Sequence, residues 1–157
     1  MDYLALIDRS KLHYKRSDVT PIFAEPAAFA ALVGDLVAPF RDAGVQRVVG
    51  TDALGFIVGT AVALRLGVGF VPVRKPGKLP YATDSFRYDL EYGSDTLTLQ
   101  EGILGHTSRV LIADDLIATG GSMLATKRLV EQTGAQVIGA VTLVNLEYLN
   151  KGLQDLH

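Results

Sequence analysis

The sequence predicts an α/β fold, a central and mainly parallel sheet flanked by helices, on three observations. Short β-branched apolar runs alternate with segments of helical period along most of the chain. The run Val110-Leu111-Ile112-Ala113 is continuously apolar, as in a strand covered on both faces. Residues 110–122, V-L-I-A-D-D-L-I-A-T-G-G-S, then pass through two acids and a glycine loop into a helix. That order places polar residues at the carboxyl end of a parallel strand, where open α/β sheets bind their ligands.

The elements follow in order. Residues 1–20 mix Lys11, His13, Lys15 and Arg16 with short apolar pairs and lack a clear period, so they read as a small hood lying on the domain. Over residues 25–43, Phe29, Leu32, Val33, Leu36, Val37 and Phe40 recur at helical spacing, with Pro26 suited to a first turn and Gly44 to an end. Residues 45–50 read as a strand, 55–66 as a helix and 68–73 as a strand whose last part Pro72 weakens. Residues 74–80, R-K-P-G-K-L-P, form a loop by composition. Residues 81–100 are long for a connection and read as a flexible lid, with alternation at 97–100 giving a strand outside the main sheet. The strand at 110–113, its helix through Gln132 and a last strand over 136–145 complete the series.

A chain of 157 residues with 48% hydrophobic content is sized for one domain, and no repeat or linker divides it, so residues 1–157 are expected to form a single unit. A formal net charge of -2 provides no global attraction to nucleic acid, and any anion site must be built locally. The absence of cysteine excludes disulfides, thiolate metal sites and a thiol nucleophile. No apolar run approaches the roughly 18 residues of a membrane span, and the first residues do not read as an export signal. The expectation is a soluble, cytoplasmic protein without membrane or nucleic-acid partners.

Three constellations carry chemistry. Asp114 and Asp115 are expected in the turn after their strand, where two acids converge on one ligand. Ionised carboxylates only accept hydrogen bonds, so the pair suits vicinal hydroxyls or Mg²⁺, and hence a sugar phosphate that carries a metal. Ala118, Thr119, Gly120, Gly121 and Ser122 offer successive backbone N–H groups at a helix N-terminus, a nest for a terminal phosphate. The loop is neither G-x-x-x-x-G-K-[ST] nor G-x-G-x-x-G, which sets aside triphosphate hydrolysis and dinucleotide binding. A second anion fits the turn around Asp52 and Ala53 together with Arg74, Lys75 and Lys78, all mapping to the same sheet edge. Glu91, on the lid, suits a general acid or base once closure excludes water.

These residues together resemble the type I phosphoribosyltransferases. Residues 110–122 look like that family's phosphoribosyl-pyrophosphate motif. G-V-G-F-V-P-V-R-K-P-G-K-L-P at 67–80, L-E-Y-G at 90–93 and V-T-L-V-N-L at 141–146 are similar to its adenine-directed members, and residues 20–151 are covered. The resemblance implies the family's fold and transfer of phosphoribosyl from phosphoribosyl pyrophosphate to a purine. Adenine is the foremost acceptor, giving AMP and pyrophosphate in purine salvage. Hypoxanthine, guanine or xanthine as base, or a module that senses phosphoribosyl pyrophosphate without turnover, are the alternatives.

It also implies a homodimer, and Mg²⁺ bound mainly through phosphoribosyl pyrophosphate rather than at a metal site of the protein. By resemblance, Asp114 and Asp115 face the ribose hydroxyls and residues 118–122 cradle the 5′-phosphate. Asp52, Ala53, Arg74, Lys75 and Lys78 handle pyrophosphate. Glu91 manages a proton at the purine's imidazole nitrogen, and Tyr92 beside it belongs to the substrate site. Two departures stand out: Leu54 occupies a position where the family's adenine enzymes usually have arginine, and Ser17, beside Arg16, replaces the hood arginine.

Overall fold

The computed structural model describes residues 2–7, 18–81, 83–90 and 93–147. Four parallel strands, β1 (Arg47–Thr51), β2 (Gly69–Val73), β5 (Arg109–Ile117) and β6 (Gln136–Asn145), form a sheet in the order β2-β1-β5-β6. Among the described residues four α-helices accompany them: α1 (Thr20–Ala24), α2 (Pro26–Val37), α3 (Leu54–Leu66) and α4 (Gly121–Gln132). The mainly parallel α/β sheet read from the sequence is therefore present, and Pro72 lies on the edge strand β2, where a missing N–H interrupts no central ladder.

Period two along the strands decides which residues meet which helices. On one face Val48, Leu111 and Ala113 pack with Val58 and Val62 of α3 and with Val33 and Val37 of α2. On the other, Val49, Val71 and Val110 pack with Ala125, Leu129 and Val130 of α4. Val48, Val49, Val110 and Leu111 are wholly buried, each such side chain contributing about 1.5–3 kcal/mol of hydrophobic stabilisation. This core holds the carboxyl ends of β1 and β5 rigidly side by side.

Helix ends follow local chemistry. The Glu25 side chain accepts from the Ala27 N–H at 3.5 Å and Pro26 opens α2. The sequence suggested one helix over 25–43, but α2 stops at Val37 and a 3₁₀ turn, Ala38–Phe40, replaces its continuation. Pro39 is the reason, since it lacks the N–H that a further helical turn needs. Gly67 ends α3 at φ 72, and its N–H donates to the Ala63 and Leu64 carbonyls.

The segment read as a loop-like lid contains regular structure instead. β3 (Thr83–Leu90) and β4 (Gly93–Gln100) pair antiparallel in a separate two-stranded sheet, so the strand expected at 97–100 does lie outside the main sheet but belongs to a longer hairpin. The sequence held a signal for it: Phe86, Tyr88 and Leu90 alternate with Ser85, Arg87 and Asp89. Tyr, Asp and Gly content masked that alternation, and pairing with β4 supplies the backbone partners that composition cannot reveal. The hairpin is fastened to the end of β2, where the Arg74 N–H donates to the Thr98 carbonyl (3.0 Å) and the Thr98 N–H to the Arg74 carbonyl (2.7 Å).

Of the expected hood, a 3₁₀ turn at Tyr3–Leu6 is described, and the Tyr3 hydroxyl donates to Asp35 of α2 at 2.6 Å. Arg16 and Ser17 lie outside the described residues, as do Glu91 and Tyr92. Among the described residues no helix is long and apolar enough to cross a membrane.

Candidate active site

The chain leaves β1 through α3 toward β2 on one side, and leaves β5 through α4 toward β6 on the other. The connections diverge between β1 and β5, which makes a crevice at their carboxyl ends, the topological switch point of an open sheet. Gly50 is in register with Ala113 and Thr51 with Val73, so Asp52, Arg74 and Asp114 all emerge at this one edge.

Asp114 is anchored at both carboxylate oxygens. The Thr51 hydroxyl, on a residue only 5% exposed, donates to Oδ2, and the Asp115 N–H donates to Oδ1 at 3.0 Å. Burial pushes the Asp114 pKa up to about 7; the hydrogen bond from Thr51 opposes this, while the neighbouring Asp115 charge adds to it. Gly55 is what lets α3 come so close: a Cβ there would lie 2.9 Å from Asp114 Oδ1 and 3.0 Å from the Ala113 carbonyl oxygen. The acids are not in a turn, as their sequence context suggested. β5 runs on to Ile117 because β6 keeps pairing with it, Leu116 with Val144 and Ile117 with Asn145, so both acids lie within the strand.

Immediately after β5 the chain bends through Ala118 and Thr119 to Gly120, whose φ of 86 is the left-handed conformation that glycine accepts without strain. A recess of about 100 Å³, lined by residues 116–123, lies over the start of α4. Among the described residues no side chain caps α4 at Gly120, and the positive end of its helix dipole lies at this recess. Gly121 and Ser122 supply the first helical residues, and the Thr126 hydroxyl donates back to the Ser122 carbonyl at 2.8 Å. Ala118 to Ser122 are thus brought together as the sequence suggested, with room for one phosphate-sized anion.

The second turn joins β1 to α3. The Asp52–Ala53 peptide is cis, the Asp52 N–H donates to the Val73 carbonyl at 3.1 Å, and the Phe56 N–H to the Ala53 carbonyl at 3.2 Å. Arg74 Nε donates to Asp52 Oδ2 at 3.1 Å, Nη1 donates to the Lys78 carbonyl at 3.3 Å, and the guanidinium carbon lies 5.7 Å from the Phe56 ring centroid. Lys75 differs from expectation: its Nζ pairs with Asp95 Oδ2 of the hairpin at 2.8 Å, holding the Asp95 carboxyl below its ordinary range. Successive residues leaving a strand diverge, which is why Arg74 and Lys75 take different partners. Lys78 is exposed on the same loop, and Leu54, 39% exposed, opens α3 beside Asp52.

Thr51 reads from sequence only as the start of the Asp52 turn, and Phe56 and Asp95 were not singled out. A phenylalanine in a helix looks like an ordinary core residue and an acid in a polar segment like a solvated one, and only the folded chain sets Phe56 against Arg74 and Asp95 against Lys75. Among the described residues no group of three or more His, Asp or Glu side chains is arranged to hold a metal ion.

Known proteins resemble this chain over most of its length. Residues 27–152 match the phosphoribosyl transferase domain family. The adenine phosphoribosyltransferase of Solidesulfovibrio magneticus is 48% identical over 133 residues, covering 85% of this chain and 78% of that protein. The crystal structure of the adenine phosphoribosyltransferase from Rhodothermus marinus superposes with a TM-score of 0.85 at 43% identity, over 90% of this chain and 80% of the other. The Saccharomyces cerevisiae adenine phosphoribosyltransferase, complexed with an imino-altritol 1,6-bisphosphate and adenine, gives a TM-score of 0.83 at 40% identity, over 90% and 82%.

Proposed function

The chain belongs to the phosphoribosyl transferase family, and from that premise we propose that it transfers phosphoribosyl from phosphoribosyl pyrophosphate to adenine, giving AMP and pyrophosphate in purine salvage. The observation that carries the reading is one switch-point crevice holding an acidic pair, a recess at a helix N-terminus and a separate arginine-bearing turn. Such a site offers one place each for a ribose, its 5′-phosphate and a second anion. Similarity to enzymes named for adenine, one of them complexed with it, supports that base.

In this reading Asp114 and Asp115 accept hydrogen bonds from the ribose hydroxyls, and the N–H groups of Ala118, Thr119, Gly120, Gly121 and Ser122 hold the 5′-phosphate. The purine's imidazole nitrogen bonds to the ribose carbon as the bond to pyrophosphate breaks, its electron pair leaving with pyrophosphate. Positive charge on the ribose and negative charge on the leaving group develop together. The Asp52–Ala53 turn and Arg74 meet the departing oxygens, with Lys75 and Lys78 at the exposed rim. Glu91 takes the proton from the attacking nitrogen, with Tyr92 beside it, as the 81–100 segment closes as a lid.

Mg²⁺ suits this site as an ion carried by the substrate: the described residues offer too few ligands for a protein cage, and Mg²⁺ readily shares phosphate oxygens and waters. When bound, it neutralises charge on pyrophosphate. The same proposal takes residues 1–157 as one domain with a hood over 1–20, active as a cytoplasmic homodimer.

Assaying AMP formation with phosphoribosyl pyrophosphate, Mg²⁺ and a panel of bases tests it. Adenine is expected to be preferred over hypoxanthine, guanine and xanthine. Preference for another purine would reassign the base, and binding of phosphoribosyl pyrophosphate without product from any base would make the protein a sensor.

A further inference from the structure

A row of contacts runs from the sheet to the Asp52 turn. A Cβ at Gly50 or Gly59 would lie only 2.8 or 2.6 Å from a ring carbon of Phe70, so these two glycines make the slot in which Phe70 lies. Phe70 meets Phe56 edge-on, with centroids 5.8 Å apart and an interplanar angle of 75°. The Phe56 ring in turn carries the Arg74 guanidinium at 5.7 Å, while the Phe56 N–H closes on the Ala53 carbonyl. Phe56 therefore touches the turn through its backbone and the arginine through its ring.

We propose that Phe56 is a positioning residue for the departing pyrophosphate, holding the Arg74 guanidinium over the Asp52 turn so that leaving-group affinity depends on a ring that need not touch the anion. The inference rests on the function proposed above, which gives Arg74 the pyrophosphate. An arginine has four rotatable side-chain bonds, and fixing them costs conformational freedom each time an anion is bound. Here the side chain is already held, by Asp52 on Nε, the Lys78 carbonyl on Nη1 and the ring on the guanidinium face. Guanidinium has five N–H donors, and the two hydrogen bonds to Asp52 and Lys78 leave others for an anion. Leu54 strengthens the dependence, because the first residue of α3 brings no cation to share that load.

The experiment uses the full chain and four variants: Phe56→Leu, Phe56→Tyr, Arg74→Gln and the double variant Phe56→Leu/Arg74→Gln. Each is assayed for KM of phosphoribosyl pyrophosphate, KM of pyrophosphate in the reverse reaction, KM of adenine, kcat and Tm. Phe56→Leu is expected to raise KM for pyrophosphate about threefold to fivefold, the effect a cation–π contact supports, with KM for adenine unchanged. Phe56→Tyr should restore it, and the double variant should be no worse than Arg74→Gln, since the ring acts only through the arginine.

If Arg74→Gln leaves KM for pyrophosphate unchanged, the assignment of pyrophosphate to Arg74 falls, and with it the reading beneath. If Arg74→Gln raises it while Phe56→Leu does not, or if the two effects multiply, the positioning role of Phe56 is overturned. A loss of Tm in Phe56→Leu without a change in KM does the same. Should Phe56→Leu fail to fold, Phe56→Met goes through the same scheme. The Arg74 ¹⁵Nε–¹H resonance gives a readout apart from activity: it should lose its ring-current shift in the variant, and an unmoved resonance refutes the contact.

Discussion

Replacing Asp114 by asparagine should remove the loss of stability that this carboxyl causes between pH 3.8 and about 7. Burial holds the carboxyl pKa at about 7 against an ordinary 3.8. Between those values the folded protein binds more protons than the unfolded chain, so wild-type stability falls as pH rises from 3.8 to about 7 and is level on either side. That gap, at about 1.4 kcal/mol per pH unit, is on the order of 4 kcal/mol. Asparagine carries no such penalty. Its amide oxygen can still accept from Thr51, but its NH₂ would face the Asp115 N–H, a lost hydrogen bond worth about 1 kcal/mol at every pH. The variant should be slightly less stable than wild type near pH 4 and more stable by about 3 kcal/mol above pH 7. Urea unfolding followed by circular dichroism across that range measures the difference. A difference that does not change with pH would refute the assignment of a buried, proton-holding carboxyl.

Four further outcomes are expected. Glu91→Ala should lower kcat by about 10²–10⁴ while altering affinity for phosphoribosyl pyrophosphate little, and an unchanged kcat removes Glu91 from proton transfer. Gly120→Val forces a β-branched side chain into φ 86 at the mouth of the recess, so calorimetric binding of ribose 5-phosphate should disappear; retained binding would show that the nest is not there. Leu54→Arg, at a site already 39% exposed, should lower KM for pyrophosphate about tenfold, the effect of one charge-assisted contact, and no change would mean that α3 does not face the anion. Tyr3→Phe should abolish a phenol titration that burial, and then the hydrogen bond to Asp35, push up to about 12. In wild type, stability from that group is complete below pH 10.0 and fades as pH rises toward 12; an identical alkaline limb in the variant would count against the Tyr3–Asp35 contact.

Local chemistry determined a good deal of this protein by itself. The apolar runs of β1 and β5, the helical period of α2, α3 and α4, and the glycine loop before α4 are patterns of neighbouring residues, and hydrophobic burial turns them into the same elements wherever they are placed. The phosphate recess was legible because residues 118–122 are contiguous. Proximity across the chain was not legible. Thr51 and Asp114 are 63 residues apart and Arg74 and Asp52 are 22 apart; nothing in either segment says that a hydroxyl will meet the first acid or a ring will carry the arginine. Likewise the Thr83–Leu90 strand needed Gly93–Gln100 beside it, and β5 extends past its acids only because β6 continues to pair. Strand pairing is a contract between distant backbones, and its hydrogen bonds are absent until both partners arrive. The sequence thus determined which groups stand at the sheet edge, while the tertiary structure decided which of them touch, that burial raises the Asp114 pKa, and which neighbour holds each charge in place.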